Sequence, residues 1–244
     1  MATIHIAEEH SAWVQFGASF ILDTARQAMN ERGRFVMALS GGGTPHPIYQ
    51  ALPELWAQHE LEWQRVHIVW SDERCVPLDH PQSNYRMARE ALLDRINIPN
   101  DHIHPMRCSQ DPTASAVEYE GVLRELYPRQ DWPTIDLMLL GMGADGHTAS
   151  LFPDSPALEG RSRWVVANKA PARETPRLTL TIPAINAAGR IAFLVAGSEK
   201  ADVVYKILTD REETPRLPAE EIKPSAGELH WLLDAEAAVR IMHL

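Results

Sequence analysis

Phe35-Val36-Met37-Ala38-Leu39-Ser40-Gly41-Gly42-Gly43-Thr44-Pro45 is the stretch that decides the fold. Five apolar residues followed by a serine and three glycines read as a buried strand running into a tight turn. Pro45 and Pro47 suit the first turn of a helix, where a missing N–H costs nothing. That helix carries Ile48, Tyr49, Leu52 and Leu55 at helical spacing. The same strand-then-helix pattern recurs. Val66–Trp70 is an apolar run stopped by Ser71-Asp72-Glu73-Arg74, and after a loop Ser83 caps a helix through about Ile96. Pro112–Leu126 reads as an amphipathic helix with Val117, Leu123 and Leu126 inward. Ile135–Leu140 is a third buried strand, ending in Gly141-Met142-Gly143-Ala144-Asp145-Gly146-His147, with Thr148–Phe152 opening a short helix.

Farther along, Trp164–Ala167 and Leu178–Thr181 read as strands, and Pro183 starts a short helix. Arg190–Ala196 is a buried strand ending in Gly197-Ser198-Glu199-Lys200, with a helix over Ala201–Leu208. Glu228–Leu233 is the last strand and Ala235–Arg240 the last helix. Apolar strands alternating with helices predict an α/β chain with a mostly parallel sheet covered on both faces. No internal repeat or long linker divides it, so residues 1–244 are expected to form a single α/β domain. The most loop-like stretches are Pro171–Pro176 and Arg211–Pro224.

The totals narrow the function classes. A net charge of −10 argues against nucleic acid as a partner, because such binding needs a basic footprint. An anionic ligand must then be held by a local cluster of donors set against the global field. No run of 18 apolar residues and no signal segment are present, so neither membrane nor export is expected, and the cytoplasm is the default compartment. Two cysteines, Cys75 and Cys108, read as free thiols of a reducing compartment.

Four strands end in loops rich in glycine or charge: 40–45, 71–74, 141–148 and 197–200. Ligands of open parallel sheets bind beyond the carboxyl ends of the strands, so all four loops converge on one rim. Gly41, Gly42 and Gly43 let backbone amides approach a ligand closely, and the next helix turns its positive end to the same place. With Ser40 and Thr44 as hydroxyl donors, this is an anion cradle suited to a phosphate monoester. It is neither a P-loop nor a dinucleotide fingerprint; 141–146 fits the latter's letters, but Asp145 and His147 would crowd a pyrophosphate. Lys200, opening a helix against its dipole, is better explained by phosphate neutralisation than by stability. Asp145-Gly146-His147 is the candidate catalytic unit, with His147 as general base and Asp145 fixing its tautomer. Asp72, Glu73 and Arg74 form a third polar cluster, in which Arg74 is suited to phosphate or an oxyanion. His102 and His104 stand without a carboxylate or cysteine cluster and suggest no metal site.

ALSGGGTP (38–45), WSDERCVP (70–77), SNYRMARE (83–90), DLMLLGMGADGHTASLFP (136–153), PRLTLTIPAIN (176–186) and FLVAGSEKA (193–201) together resemble the 6-phosphogluconolactonase family. The resemblance implies a three-layer α/β sandwich around a mostly parallel sheet, shared with glucosamine-6-phosphate deaminases and ribose-5-phosphate isomerases. It implies hydrolysis of a small phosphorylated sugar lactone, 6-phospho-D-glucono-1,5-lactone, in the oxidative pentose phosphate pathway, without metal or organic cofactor. It also implies a base role for His147 and substrate roles for Arg74, Arg177 and Lys200; Gly143 amides and Asp72 join the expected substrate contacts. A monomer or small homo-oligomer is expected. The rival readings are a glucosamine-6-phosphate deaminase or related isomerase, and a non-catalytic sugar-phosphate sensor. Against the first, the D-G-H segment runs on with no carboxylate until Asp154, and Arg74 stands where deaminases carry an aromatic. The second has no use for Asp145 and His147.

Overall fold

The computed structural model describes residues 2–170, 175–209 and 216–242. In chain order its main elements are β1 (Thr3–Ala7), α1 (His10–Arg32), β2 (Phe35–Leu39), α2 (His46–Gln58), β3 (Val66–Trp70), β4 (Asp72–Arg74), α3 (Asn84–Ala91), α4 (Pro112–Leu126), β5 (Leu137–Leu140), β6 (Val165–Lys169), β7 (Pro176–Leu180), α5 (Ile182–Asn186), β8 (Arg190–Val195), α6 (Ala201–Thr209), β9 (Glu228–Asp234) and α7 (Ala235–Ala238). Six strands form one sheet in the order β1-β9-β8-β5-β2-β3, with every neighbouring pair parallel. Helices lie on both sides of it, as the alternation predicts. β2, β5 and the last five residues of β8 are wholly buried, which is why they read as continuous apolar runs rather than alternations. Trp13, Trp56, Trp70, Trp164 and Trp231 are all fully buried in this core. Among the described residues, no helix is long and apolar enough to cross a membrane.

Local chemistry sets the helix ends. Gly33 closes α1 in the left-handed region at φ 76°, donating its N–H to Met29 O. Ser83 caps α3 by accepting from Arg86 N, and Asp111 caps α4 ahead of Pro112. α3 stops at Ala91 and passes into a short helical turn, Leu93–Arg95, so the helix is shorter than expected. On α4, Leu123 is buried as expected, but Val117 is 48% exposed.

Three further expectations need correction. The charged stretch Asp72–Arg74 is a strand, not a loop. It forms because β7 pairs with it antiparallel, and β6 completes a second, three-stranded sheet. Residues 148–152 do not begin a helix: Thr148 and Leu151 make an isolated bridge, and Ala149 adopts a left-handed φ of 47°. Cys75 and Cys108 are not free thiols but a disulfide, with Cα atoms 5.0 Å apart. Cys75 follows β4 directly and Cys108 lies ahead of α4, so the returning chain brings the two thiols together. Of the loop-like stretches, 171–174 and 211–215 lie outside the described residues; Pro218–Glu221 is a short helical turn.

Candidate functional site

The sheet register puts the loops on one rim. Met37 and Ala38 pair with Leu137 and Met138, so the glycine turn after β2 and the 141–147 loop after β5 leave at the same height. Leu39 pairs with Trp70, and Ser71 N donates to Leu39 O at 2.9 Å, so the 71–74 segment starts beside the glycine turn. β5 also pairs with β8, whose end carries Gly197–Lys200.

The glycine turn is pinned from below. Ser40 N donates to Tyr49 Oη, and the Tyr49 hydroxyl donates back to Ser40 O, both at 3.1 Å. This ties the first residue of the turn to α2. Burial drives the Tyr49 hydroxyl far above its ordinary pKa, so it remains a donor. Gly42 has φ 94°, a conformation that favours glycine, and Gly42 and Gly43 form the exposed tip. Thr44 is half-buried beside them.

The 141–148 loop folds on itself. Gly143 N donates to His147 O, Gly146 N to Gly143 O, and Thr148 Oγ1 to Gly141 O. Gly146 supplies the bend with φ 75°. His147 Nδ1 then lies 2.5 Å from Asp145 Oδ1, and the His147 amide donates to the same oxygen at 3.2 Å. Burial pushes the Asp145 carboxyl up, but hydrogen bonds from the His147 ring and amide outweigh it, leaving Asp145 below the usual carboxylate range. An ionised carboxylate only accepts, so the ring proton sits on Nδ1 and the Nε2 lone pair is left for chemistry. The His147 side chain is 33% exposed and packs on Phe152. Gly143 lies directly under the pair: a Cβ there would come within 2.1 Å of His147 Nδ1 and 2.4 Å of Asp145 Oδ1.

The second sheet contributes cations. Arg74 and Arg177 are register partners across β4 and β7. Arg74 Nη1 donates to Gln82 O, and Arg177 is almost wholly buried. Lys200 lies on the turn Ser198–Lys200 beyond β8, and its ammonium makes no ion pair with a described residue. Among the described residues, no group of three His, Cys, Asp or Glu side chains gathers as a metal site. His102 and His104 do stack on His67.

Other polar residues act as framework. Glu73, read from sequence only as part of a charged cluster, is buried and accepts from the amides of Arg74, Asn84 and Tyr85 and from Ser83 Oγ. Burial raises its pKa, and those three amides oppose the rise. Asp72 is also buried, and its Oδ2 accepts from Ser150 Oγ at 2.6 Å. Asp234 ends β9 and receives Gly197 N on both carboxylate oxygens at 3.1 Å, holding the turn that presents Lys200. Nothing in the sequence marks Asn84 or Ser150 as part of this framework. Only Asp234 left a signal, as a lone carboxylate closing an apolar strand.

Residues 8–231 match the family described as glucosamine-6-phosphate isomerases/6-phosphogluconolactonase. A 6-phosphogluconolactonase of Synechocystis is 45% identical over 86% of each chain, and one of Nostoc is 40% identical over 98% of each. Among solved structures, 6-phosphogluconolactonase from Thermotoga maritima superposes with a TM-score of 0.82 at 32% identity, covering 96% of this chain and 100% of that one. The Trypanosoma cruzi enzyme gives 0.89 at 29% identity, covering 99% and 97%. A monomeric glucosamine-6-phosphate deaminase at 24% identity, covering 97% and 99%, shares the fold with a TM-score of 0.81.

Proposed function

The chain belongs to the glucosamine-6-phosphate isomerase/6-phosphogluconolactonase family, and on that premise we propose that it hydrolyses 6-phospho-D-glucono-1,5-lactone to 6-phospho-D-gluconate. The observation that carries this reading is the Asp145–His147 pair, held at 2.5 Å over Gly143 on the rim it shares with the glycine turn. Such a pair is a base with its tautomer fixed, set one strand away from an anion cradle.

The phosphate docks on the amides of Gly41, Gly42 and Gly43, with Ser40, Thr44 and Lys200 around it. Arg74 and Arg177 add charge from the second sheet, and Asp72 serves the site through its bond to Ser150. The lactone carbonyl carbon is presented to His147. Nε2 takes a proton from water as the water oxygen bonds to that carbon. Arg74 and loop amides beside Gly143, whose own N–H is taken by His147 O, steady the oxyanion. When the carbon–ring oxygen bond breaks, His147 returns the proton to the departing oxygen, which becomes a hydroxyl. The new carboxylic acid ionises and releases one proton. Asp145, still ionised, stabilises the imidazolium formed on the way.

A positioned base contributes ~10²–10⁴-fold. His147→Ala is therefore expected to lower kcat by about that factor while changing KM little. Proton release from freshly prepared lactone, read with a pH indicator, measures it; ammonia release from glucosamine 6-phosphate runs beside it and is expected to be absent. Ammonia without lactone-dependent acid would overturn the assignment, and a near-normal kcat in the alanine variant would remove the role of His147.

A further inference from the structure

The glycine turn and the catalytic loop come from different strands, yet three buried residues join them. Asn84 is 1% exposed. Its Nδ2 donates to Asp72 O at 2.8 Å and lies 3.4 Å from Asp72 Oδ1, while its amide donates to Glu73 Oε1. Flipping the carboxamide would set oxygen against oxygen, so its Oδ1 must face the other way. There it fills the place of a Gly41 side chain: a Cβ on Gly41 would lie 1.7 Å from Oδ1. That oxygen, an acceptor, is buried with no hydrogen-bond partner among the described residues. Asp72 Oδ2 accepts from Ser150 Oγ at 2.6 Å. Ser150 is itself locked, its N donating to Thr179 Oγ1 and its O accepting from Asn168 Nδ2. The left-handed Ala149 turns it inward, three residues after His147.

We propose that Asn84, Asp72 and Ser150 form a buried bracket that fixes the glycine turn relative to the His147 loop, with Asn84 as a positioning residue acting through Asp72 and Ser150. An anion gripped at Gly41–Gly43 and a base at His147 work on one molecule only if their separation is held. Beyond the β2–β5 pairing, the bracket is a path of side-chain contacts between those two parts: Gly41 against Asn84, Asn84 on Asp72, Asp72 on Ser150. This inference rests on the hydrolase reading above.

The test is a kinetic cycle of Asn84→Asp, Ser150→Ala and the double variant on lactone hydrolysis, with thermal melts to show that each is folded. Asn84→Asp keeps the shape but sets a carboxylate against Asp72. Each single change is expected to lower kcat about 10- to 100-fold, since misplacement by ~1 Å costs about that much. KM should stay within about threefold, because the cradle still grips the phosphate. Residues that act as one unit are not additive, so the double variant should fall no further than the worse single one. A lowered melting temperature with kcat within twofold of wild type would overturn the bracket, as would losses that multiply. Should Asn84→Asp not fold, Ser150→Ala decides alone by its kcat. A wild-type protein that releases no acid from the lactone defeats the hydrolase reading itself, which is a different outcome from an active wild type with unimpaired variants.

Discussion

Placing a methyl group on Gly143 is a direct way to separate the catalytic pair from the fold. The added Cβ would stand 2.1 Å from His147 Nδ1, 2.3 Å from Cε1 and 2.4 Å from Asp145 Oδ1, where ordinary contact begins near 3.4 Å. Restoring that contact moves the imidazole by about 1.3 Å, the difference between 3.4 and 2.1. A shift of ~1 Å costs ~10²-fold in rate, or about 2.7 kcal/mol of barrier. Both side chains are partly exposed, 33% for His147 and 53% for Asp145, so they can swing outward without opening the core. Gly143→Ala is therefore expected to lower kcat about 100-fold or more, to leave KM within about threefold, and to cost only about 1–2 kcal/mol of stability. Gly141→Ala is the matched control, because a Cβ there meets nothing within 4 Å. Steady-state hydrolysis of the phosphorylated lactone, with a melting curve for each protein, measures both effects. A Gly143→Ala enzyme with normal kcat and an intact fold would refute the claim that the pair must lie over this α-carbon.

The Cys75–Cys108 bridge closes a loop with a sequence separation of 33. In the chain-entropy account that constrains the unfolded state by about 3–4 kcal/mol. Cys108→Ser should lower the melting temperature by roughly 7–15 °C, and dithiothreitol should affect the wild type but not the variant; equal midpoints with and without reductant would show that the bridge adds nothing. His67 offers a pH test: burial, then the neighbouring His102 and His104, hold its pKa down at about 4. The unfolded chain binds its proton at the ordinary value near 6.5. Below that pH the unfolded state carries more protons, so stability falls as pH drops from about 6.5 to about 4. Melts across this range should show a shallower slope for His67→Phe than for wild type, and parallel curves would contradict the reading.

Much of this architecture is legible in the residues. β2 and β3 appear within the bounds their apolar runs set, because strands buried on both faces leave no alternation to misread. α1 escapes the same reading because its buried face includes Gly17, Ala18, Ala25 and Ala28, small residues that give little apolar contrast. β1 escapes because Ile4 and Ile6 are among its most exposed side chains. β4 is a strand only by virtue of its partner, since Asp-Glu-Arg has no β preference of its own. At the site, Asp145 and His147 meet because they are two residues apart, a separation a sequence can express. Ser150 and Asp72 stand 78 residues apart, and a serine between an alanine and a leucine carries no mark of its partner. The cysteine pair fails for the same reason: proximity at a distance of 33 residues is a property of the path, not of the letters.

The all-parallel register of the large sheet limits how this protein can vary. One residue inserted or deleted inside β2 or β5 would raise or lower the rim by ~3.3 Å and exchange inward for outward side chains. Neither error can be absorbed between strands buried on both faces. Changes of length therefore fall in the connections between elements and not inside these strands. The frame thus fixes where its strands end, and with them the height at which every rim residue stands.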